Sequence, residues 1–220
     1  MSTTRRGVYA AIVSVLGAAV YLRLVEPWFR CWGATRPERS WHLPIDDMVV
    51  AGGAITTRAV TVHAPIEHVW PWLVQIGQDR AGFYSYTKLE NLVAAGMRNA
   101  DAVNPAWQQR TVGESVWLAD ARRWHDRGRQ IAALVDPPRS LVLVSPVDWA
   151  RLGAGELASG AWGFSLHAEA ERRTRLLVRT SGGAVGTHAF DLLHFVMEQK
   201  MMRGLRDRAE AAEARAMSER

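Results

Sequence analysis

The chain has 220 residues and a mass of 24.5 kDa, with 48% apolar and 22% charged side chains. That balance excludes an intrinsically disordered polymer, and a single cysteine, Cys31, excludes an internal disulfide or a Cys-rich zinc site. The formal charge of +5 and pI near 10.0 point to nucleic acid or an anionic membrane surface, and the placement of the charge decides between them.

Arg5 and Arg6 precede Val8–Val25, a stretch of 18 residues broken only by Arg23. As a helix it spans about 27 Å at 1.5 Å per residue, close to the roughly 30 Å of a hydrocarbon core. Arg23 lies near its end, where a long side chain snorkels to the headgroups. Trp28, Phe29 and Trp32 follow as an interfacial aromatic belt would. The segment is therefore expected to be an N-terminal transmembrane helix, with residues 1–32 as the anchor. A cleaved signal peptide with Gly17-Ala18-Ala19 as its small-residue site is the rival, and a helix buried in the domain is a third reading. Apolar character running on through Val25 argues against cleavage. The flanking arginines lean toward a cytoplasmic body.

Residues 33–53, with Pro37, Pro44, Gly52 and Gly53, read as an irregular linker. Ile55–His63 is rich in β-branched residues and predicts a strand. Pro65–Ile76 predicts a short helix with Val69, Leu73 and Ile76 on one stripe, interrupted by Pro71 and stopped at Gly77. Thr87–Ala95 predicts a second short helix, and Asp101–Glu114 a loop. Short strands are expected at Ser115–Leu118, Gln130–Val135, Leu141–Val144, Trp162–Ala168 and Thr174–Thr180, separated by turn clusters such as Asp136-Pro137-Pro138. In the strand beginning at Trp162, bulky Trp162, Phe164 and Leu166 alternate with Gly163, Ser165 and His167. Thr187–Met217 predicts a long helix with Leu193, Met197, Met201 and Leu205 as its apolar stripe. Beyond Ala209 it has little to bury, so its end is expected to fray.

This order gives an α+β domain over 54–220, a curved antiparallel sheet wrapped around a long C-terminal helix, since each element would otherwise expose an apolar face. The phrase RAVTVHAPIEHVWPWLVQIGQDRAGFYSYTKLENL, above all Val69–Gln75, Gly77, Asp79–Tyr86 and Leu89–Leu92, resembles the SRPBCC superfamily of START, pollen-allergen and polyketide cyclase relatives. It is most similar to an uncharacterised membrane-anchored bacterial branch. Asn99-Ala100-Asp101, the Pro105 to Gly113 loop, Trp162-x-Phe164, Thr174–Arg179 and Phe195–Arg208 extend the likeness, which covers about residues 54–210. Gly113-Glu114 departs from the Gly-Asp frequent in that family. The resemblance implies the helix-grip fold and an enclosed cavity for a lipid, sterol or polyketide. Some members catalyse cyclisation or dehydration, but no single catalytic motif runs through the superfamily.

Gly77–Asn91 is the densest mixture of polar and aromatic groups. Asp79, Arg80 and Glu90 are candidates to meet a ligand head, with Tyr84 and Tyr86 as walls carrying a hydroxyl tip. Trp162, Phe164, Leu193, Met197 and Met201 are candidates to line a pocket; Met adapts to irregular ligands. Core packing is the competing reading for this pocket set, capping or pairing within the loop for Asp79 and Arg80, and pairing with a nearby arginine for Glu90. Glu90 and Asp79 are also the weak candidates for acid–base chemistry. Gly204 interrupts the long helix, either for a close approach or by tolerance. The histidines at 42, 63, 68, 125, 167, 188 and 194 show no paired metal spacing, and no P-loop, dinucleotide fingerprint or nucleophile elbow occurs, so neither metal nor cofactor is expected. Arg122, Arg123, Arg127 and Arg129 around Trp124 and His125 read as a solvated hairpin loop.

Residues 1–40 carry six arginines and two acids, a net of +4, and the remaining 21 basic and 20 acidic groups nearly cancel. The excess flanks the apolar segment, which removes the main support for nucleic acid. The expected function is a membrane-anchored binding module for a hydrophobic small molecule or lipid. A cyclase- or dehydratase-like enzyme and a protein-interaction adaptor are the alternatives.

Overall fold

The computed structural model describes residues 21–183 and 185–219, with Tyr9, Val13 and Gly17 of the preceding stretch. The expected membrane span Val8–Val25 therefore lies mainly outside the described residues; its last five, Tyr21–Val25, form a short π-helical stretch. No helix among the described residues is long and apolar enough to cross a membrane.

In chain order the elements are α1 (Glu26–Arg30), α2 (Arg36–Ser40), β1 (Ile55–Val62), α3 (Ile66–Val74), α4 (Thr87–Leu92), β2 (Ser115–Trp117), α5 (Ala121–Trp124), β3 (Arg129–Asp136), β4 (Ser140–Val144), α6 (Pro146–Gly153), β5 (Gly160–Ala170), β6 (Arg173–Gly182) and α7 (His188–Ser218). The six strands form one antiparallel sheet in the order β1-β6-β5-β4-β3-β2. The long α7 crosses its concave face beside α3. This is the helix-grip arrangement. Each expected strand is present within a few residues of its expected bounds. Helix α6 was not expected: Ser145 caps it, accepting from Asp148 N at 3.0 Å, and Pro146 occupies its first turn.

Alternation puts Val60, Val62, Leu141, Leu143, Phe164, Leu166, Leu176 and Val178 on the concave face, in one core with α3 and α7. The helix stripe differs from expectation. Phe195, Met202, Leu205 and Ala209 are buried, whereas Leu193 is largely exposed. A step of four residues overshoots one turn by about 40°, so an every-fourth pattern winds off the buried face. The helix also does not fray after Ala209. Glu213 is buried and pairs with His68 of α3 and, at 3.1 Å, with Arg172 of the β5–β6 turn.

Residues 33–53, expected as a linker, form a strap across the convex face. Ala34, Leu43, Ile45 and Val49 pack on Ala59, Val142, Ala161 and Leu177. A Cβ on Gly163 would lie 2.9 Å from Ile45 Cβ, so glycine at that strand position admits the strap. Arg175 and Arg179 of β6 project outward and hold it. Arg175 Nε donates to Glu38 Oε1 at 2.6 Å, and Arg179 pairs with Asp46 and donates to the carbonyls of Arg39 and Trp41. Burial opposes the Glu38 charge, but hydrogen bonds from Arg175 and Thr35, with the Arg175 charge, outweigh it. Its pKa falls from 4.5 to about 2. A carboxylate whose pKa is lowered on folding stabilises above its unfolded value and loses that stability as pH falls toward the folded one. Wild type is thus expected to lose about 3 kcal/mol from this group between roughly pH 5 and pH 2. Glu38→Gln should be less stable at neutral pH and show a correspondingly flatter acid limb in urea unfolding. Equal acid limbs would show that the pair contributes nothing.

Of the aromatic residues expected as a membrane belt, Phe29 and Trp32 are engaged with the body, while Trp28 touches it and stays 57% exposed. Phe29 is buried and stacks on Phe195 at 5.5 Å, Trp28 and Trp32 meet the same ring edge-on, and Arg203 lies over Trp32. Arg30 bridges Glu26 at 2.7 Å and buried Asp191 at 2.6 Å. Two of the charges counted as membrane flank, Glu38 and Arg30, thus lock the amino-terminal stretch to the domain.

Candidate functional site

A cavity of about 630 Å³ opens between the concave sheet, α4, α5 and the first half of α7. Helix α4 contributes Leu89, Glu90 and Val93, the last just past its end. Helix α7 contributes Phe190, Leu193, His194, Met197 and Met201, helix α5 contributes Trp124, and the intervening loops contribute Phe83 and Leu118. The sheet side is Trp162 and Thr180, with Glu198 behind them. The α7 residues follow the 3.6-residue period at 190, 193, 194, 197 and 201, a stripe turned away from the core-facing one. One helix therefore serves core and cavity with two adjacent faces.

Glu198 anchors the inner polar network. Its Oε2 accepts from Arg58 Nη1 at 2.6 Å, and its Oε1 accepts from Trp162 Nε1 at 2.7 Å and Thr180 Oγ1 at 3.4 Å. Arg58, wholly buried on β1, also donates from Nε to the Phe29 carbonyl at 2.8 Å and lies over the Phe195 ring. His194 sits between them, its Nδ1 3.4 Å from Arg58 Nη1 and its Nε2 3.5 Å from Glu198 Oε1. Those partners make Nδ1 the acceptor and Nε2–H the donor. Burial lowers the His194 pKa against the pull of Glu198, and Arg58 lowers it further, so the imidazole is neutral. It stacks on Phe190 at 5.3 Å and meets Trp162 edge-on at 5.9 Å. Asp148, on the same wall, accepts from Ser145 Oγ at 2.8 Å and Ser159 Oγ at 2.7 Å.

Glu90 differs from the other acids. Its side chain has no hydrogen-bond partner within the protein and its Oε2 is buried; burial raises its pKa from 4.5 to about 7. The Trp124 indole Nε1, also on the cavity wall, is likewise buried without a partner.

Of the residues singled out from the sequence, Glu90, Trp162, Leu193, Met197 and Met201 share this cavity. The others do not. Phe164 is buried behind Trp162, with ring centroids 4.7 Å apart. Tyr84 is in the core, donating to the Trp72 carbonyl at 2.9 Å and accepting from Gln75 at 2.9 Å, so its neighbour Phe83 faces the cavity instead. Tyr86 is exposed beneath the Lys200 ammonium. Arg80 pairs with Glu114 and donates to the Trp107 carbonyl at 3.1 Å, and Asp79 beside it is exposed. These two therefore brace a loop, and the longer Glu114 carboxylate is the partner that does so. Arg58, His194, Glu198 and Trp124 were missed. His194 and Glu198 were legible as an i, i+4 pair on the long helix; Arg58 was not, because nothing local marks an arginine in a strand as inward-facing. The basic run expected as a hairpin loop is helix α5 with a 3₁₀ turn at His125–Gly128, capped by Asp120. Among the described residues no cluster of His, Cys, Asp and Glu could hold a metal.

No family model and no curated protein matches the chain. Solved structures of similar fold include the self-sacrificing resistance protein CalC from Micromonospora echinospora. It is 13% identical over 74% of this chain and 97% of that one, with a TM-score of 0.44. The Polyketide_cyc-like protein Cgl2372 from Corynebacterium glutamicum is 13% identical over 77% and 95%, at 0.35. Ms6760 from Mycobacterium smegmatis is 10% identical over 76% and 96%, at 0.43. In its strand order, and in the long helix laid across the concave face, the chain has the helix-grip fold.

Proposed function

We propose that the protein is a binding module for an apolar small molecule or lipid, held to a membrane by the segment Val8–Val25. The observation that carries the binding reading is the cavity itself. Its volume of about 630 Å³ lies in the range of small-molecule sites, and the surface it exposes is mainly apolar, with Phe83, Trp162, Phe190, Leu193, Met197 and Met201 contributing. The tether rests on the length and apolarity of the segment, on the basic residues around it, and on exposed Leu22, Leu24 and Trp28 where it joins the domain.

Met197 is half-buried on the wall and its backbone carbonyl already accepts from Ser85 Oγ at 3.0 Å. Met197→Trp should fill the cavity from an ordered helix position. It is expected to weaken binding of the uncharged dye Nile red by about tenfold or more while unfolding at nearly the wild-type temperature. Undiminished dye binding would place the ligand elsewhere. For the tether, full-length protein should stay with carbonate-washed membranes and a version lacking residues 1–20 should not.

An enzymatic reading is favoured by one feature, the Glu90 carboxyl, which burial holds near neutral pKa on the wall of the cavity. Glu90→Gln that keeps ligand affinity but loses turnover would support it. Asp79 lies off the cavity and drops out of that role.

A further inference from the structure

The cavity wall carries five ionisable side chains from four parts of the fold: Glu90 on α4, Arg127 beside α5, Asp148 on α6, and His194 and Glu198 on α7. Three of them are already spent. Glu198 is neutralised by Arg58, Asp148 is held by two serines, and neutral His194 bridges Arg58 and Glu198. Arg127 is exposed at the rim. Two polar atoms on the wall remain buried without a partner, Oε2 of the half-buried Glu90 carboxyl and the Trp124 indole N–H. A buried polar group left unpaired is costly, and a ligand that supplies its partner gains that cost back on binding.

The two groups constrain what the ligand brings. The indole N–H needs an oxygen acceptor. The carboxyl donates to an oxygen when protonated and accepts from a hydroxyl when ionised. Among the described residues no basic side chain pairs with it, and Arg127, the basic residue on the wall, is exposed at the rim, so a ligand carboxylate is repelled inside an apolar cavity where charges are weakly screened. Resting on the small-molecule reading above, we propose that the cavity selects an uncharged, oxygen-bearing apolar molecule, an alcohol or ketone, over the corresponding acid, with Glu90 and Trp124 as the groups that take its oxygen.

The test is displacement of Nile red at pH 8 by three probes of matched chain length: 1-dodecanol, 2-tridecanone and dodecanoate. The alcohol and ketone are expected to bind about tenfold more tightly than the acid. Glu90→Gln keeps a hydrogen-bonding side chain and removes the charge, so it should shrink that gap to about threefold or less by improving dodecanoate. Trp124→Phe should weaken the alcohol and ketone about fivefold, each affinity being calculated from displacement with the dye's own affinity for that variant. Dodecanoate binding as tightly as dodecanol to wild type, or a gap unchanged in both variants, overturns the proposal while the cavity remains a binding site. Failure of Nile red and all three probes to bind overturns the small-molecule reading, and this proposal with it.

Discussion

Arg58→Met is expected to destabilise the protein by roughly 3–5 kcal/mol, the usual cost of stranding one member of a buried ion pair. Arg58 and Glu198 are both inaccessible to solvent, and their 2.6 Å contact joins β1 to the first half of α7. Glu198 would retain the Trp162 and Thr180 donors but no counter-charge. Methionine fills much of the arginine volume, so the loss is mainly electrostatic. Urea unfolding measures it, and the double variant Arg58→Met with Glu198→Leu supplies the control. Removing both charges should recover more than half of the loss, because an apolar pair of similar size is often as stable as a buried ion pair. Equal midpoints for the single and double variants would show that the stranded charge is not the cause.

The second large effect is expected at Gly204, in the middle of α7. A Cβ there would meet the Tyr84 carbonyl oxygen at 2.2 Å and Tyr84 Cβ at 2.9 Å. Both belong to a rigid position. Tyr84 has a backbone φ of 57°, its N–H donates to Asn99 Oδ1 at 2.8 Å, and its hydroxyl is tied to Trp72 and Gln75. The neighbour cannot yield, so the helix or the Phe83–Ser85 segment must shift. Alanine is ordinarily the better helix former by about 1 kcal/mol, yet Gly204→Ala should cost about 3 kcal/mol, at the upper end of overpacking changes. Because Phe83 and Ser85 line the cavity beside Tyr84, the same variant should also weaken ligand binding. A melting temperature at or above wild type would show that α7 does not press on Tyr84.

Gly204 illustrates where sequence reading stops. A glycine inside a helical pattern signals an exception, but only the packed structure names what it touches. The strap over residues 33–53 is a second case. Its prolines and glycines read as a linker because its helices are single turns without apolar periodicity. What holds it are two arginines of β6, distant in sequence, and the missing side chain of Gly163. Glu90 is a third. Its position in a mixed polar and aromatic run marked it as a candidate, but its lack of a partner is a property of the assembled cavity. Tyr84 and Phe83 traded places for a similar reason. A local turn with positive φ decides which of two adjacent aromatic rings faces inward, and no two- or 3.6-residue period reports that.

The sequence by itself determined the order of the six strands and of α3, α4 and the long α7 around them, the inward face of β5 and the location of the charge excess. These follow from local periodicity and turn chemistry, which act within a few residues. Only the tertiary structure decided which half-turn of α7 faces the core and which faces the cavity, which arginines are buried, and which carboxyl is left alone. Those outcomes depend on partners more than 100 residues apart, as Arg58 and Glu198 are, and on the low-dielectric space that their packing creates.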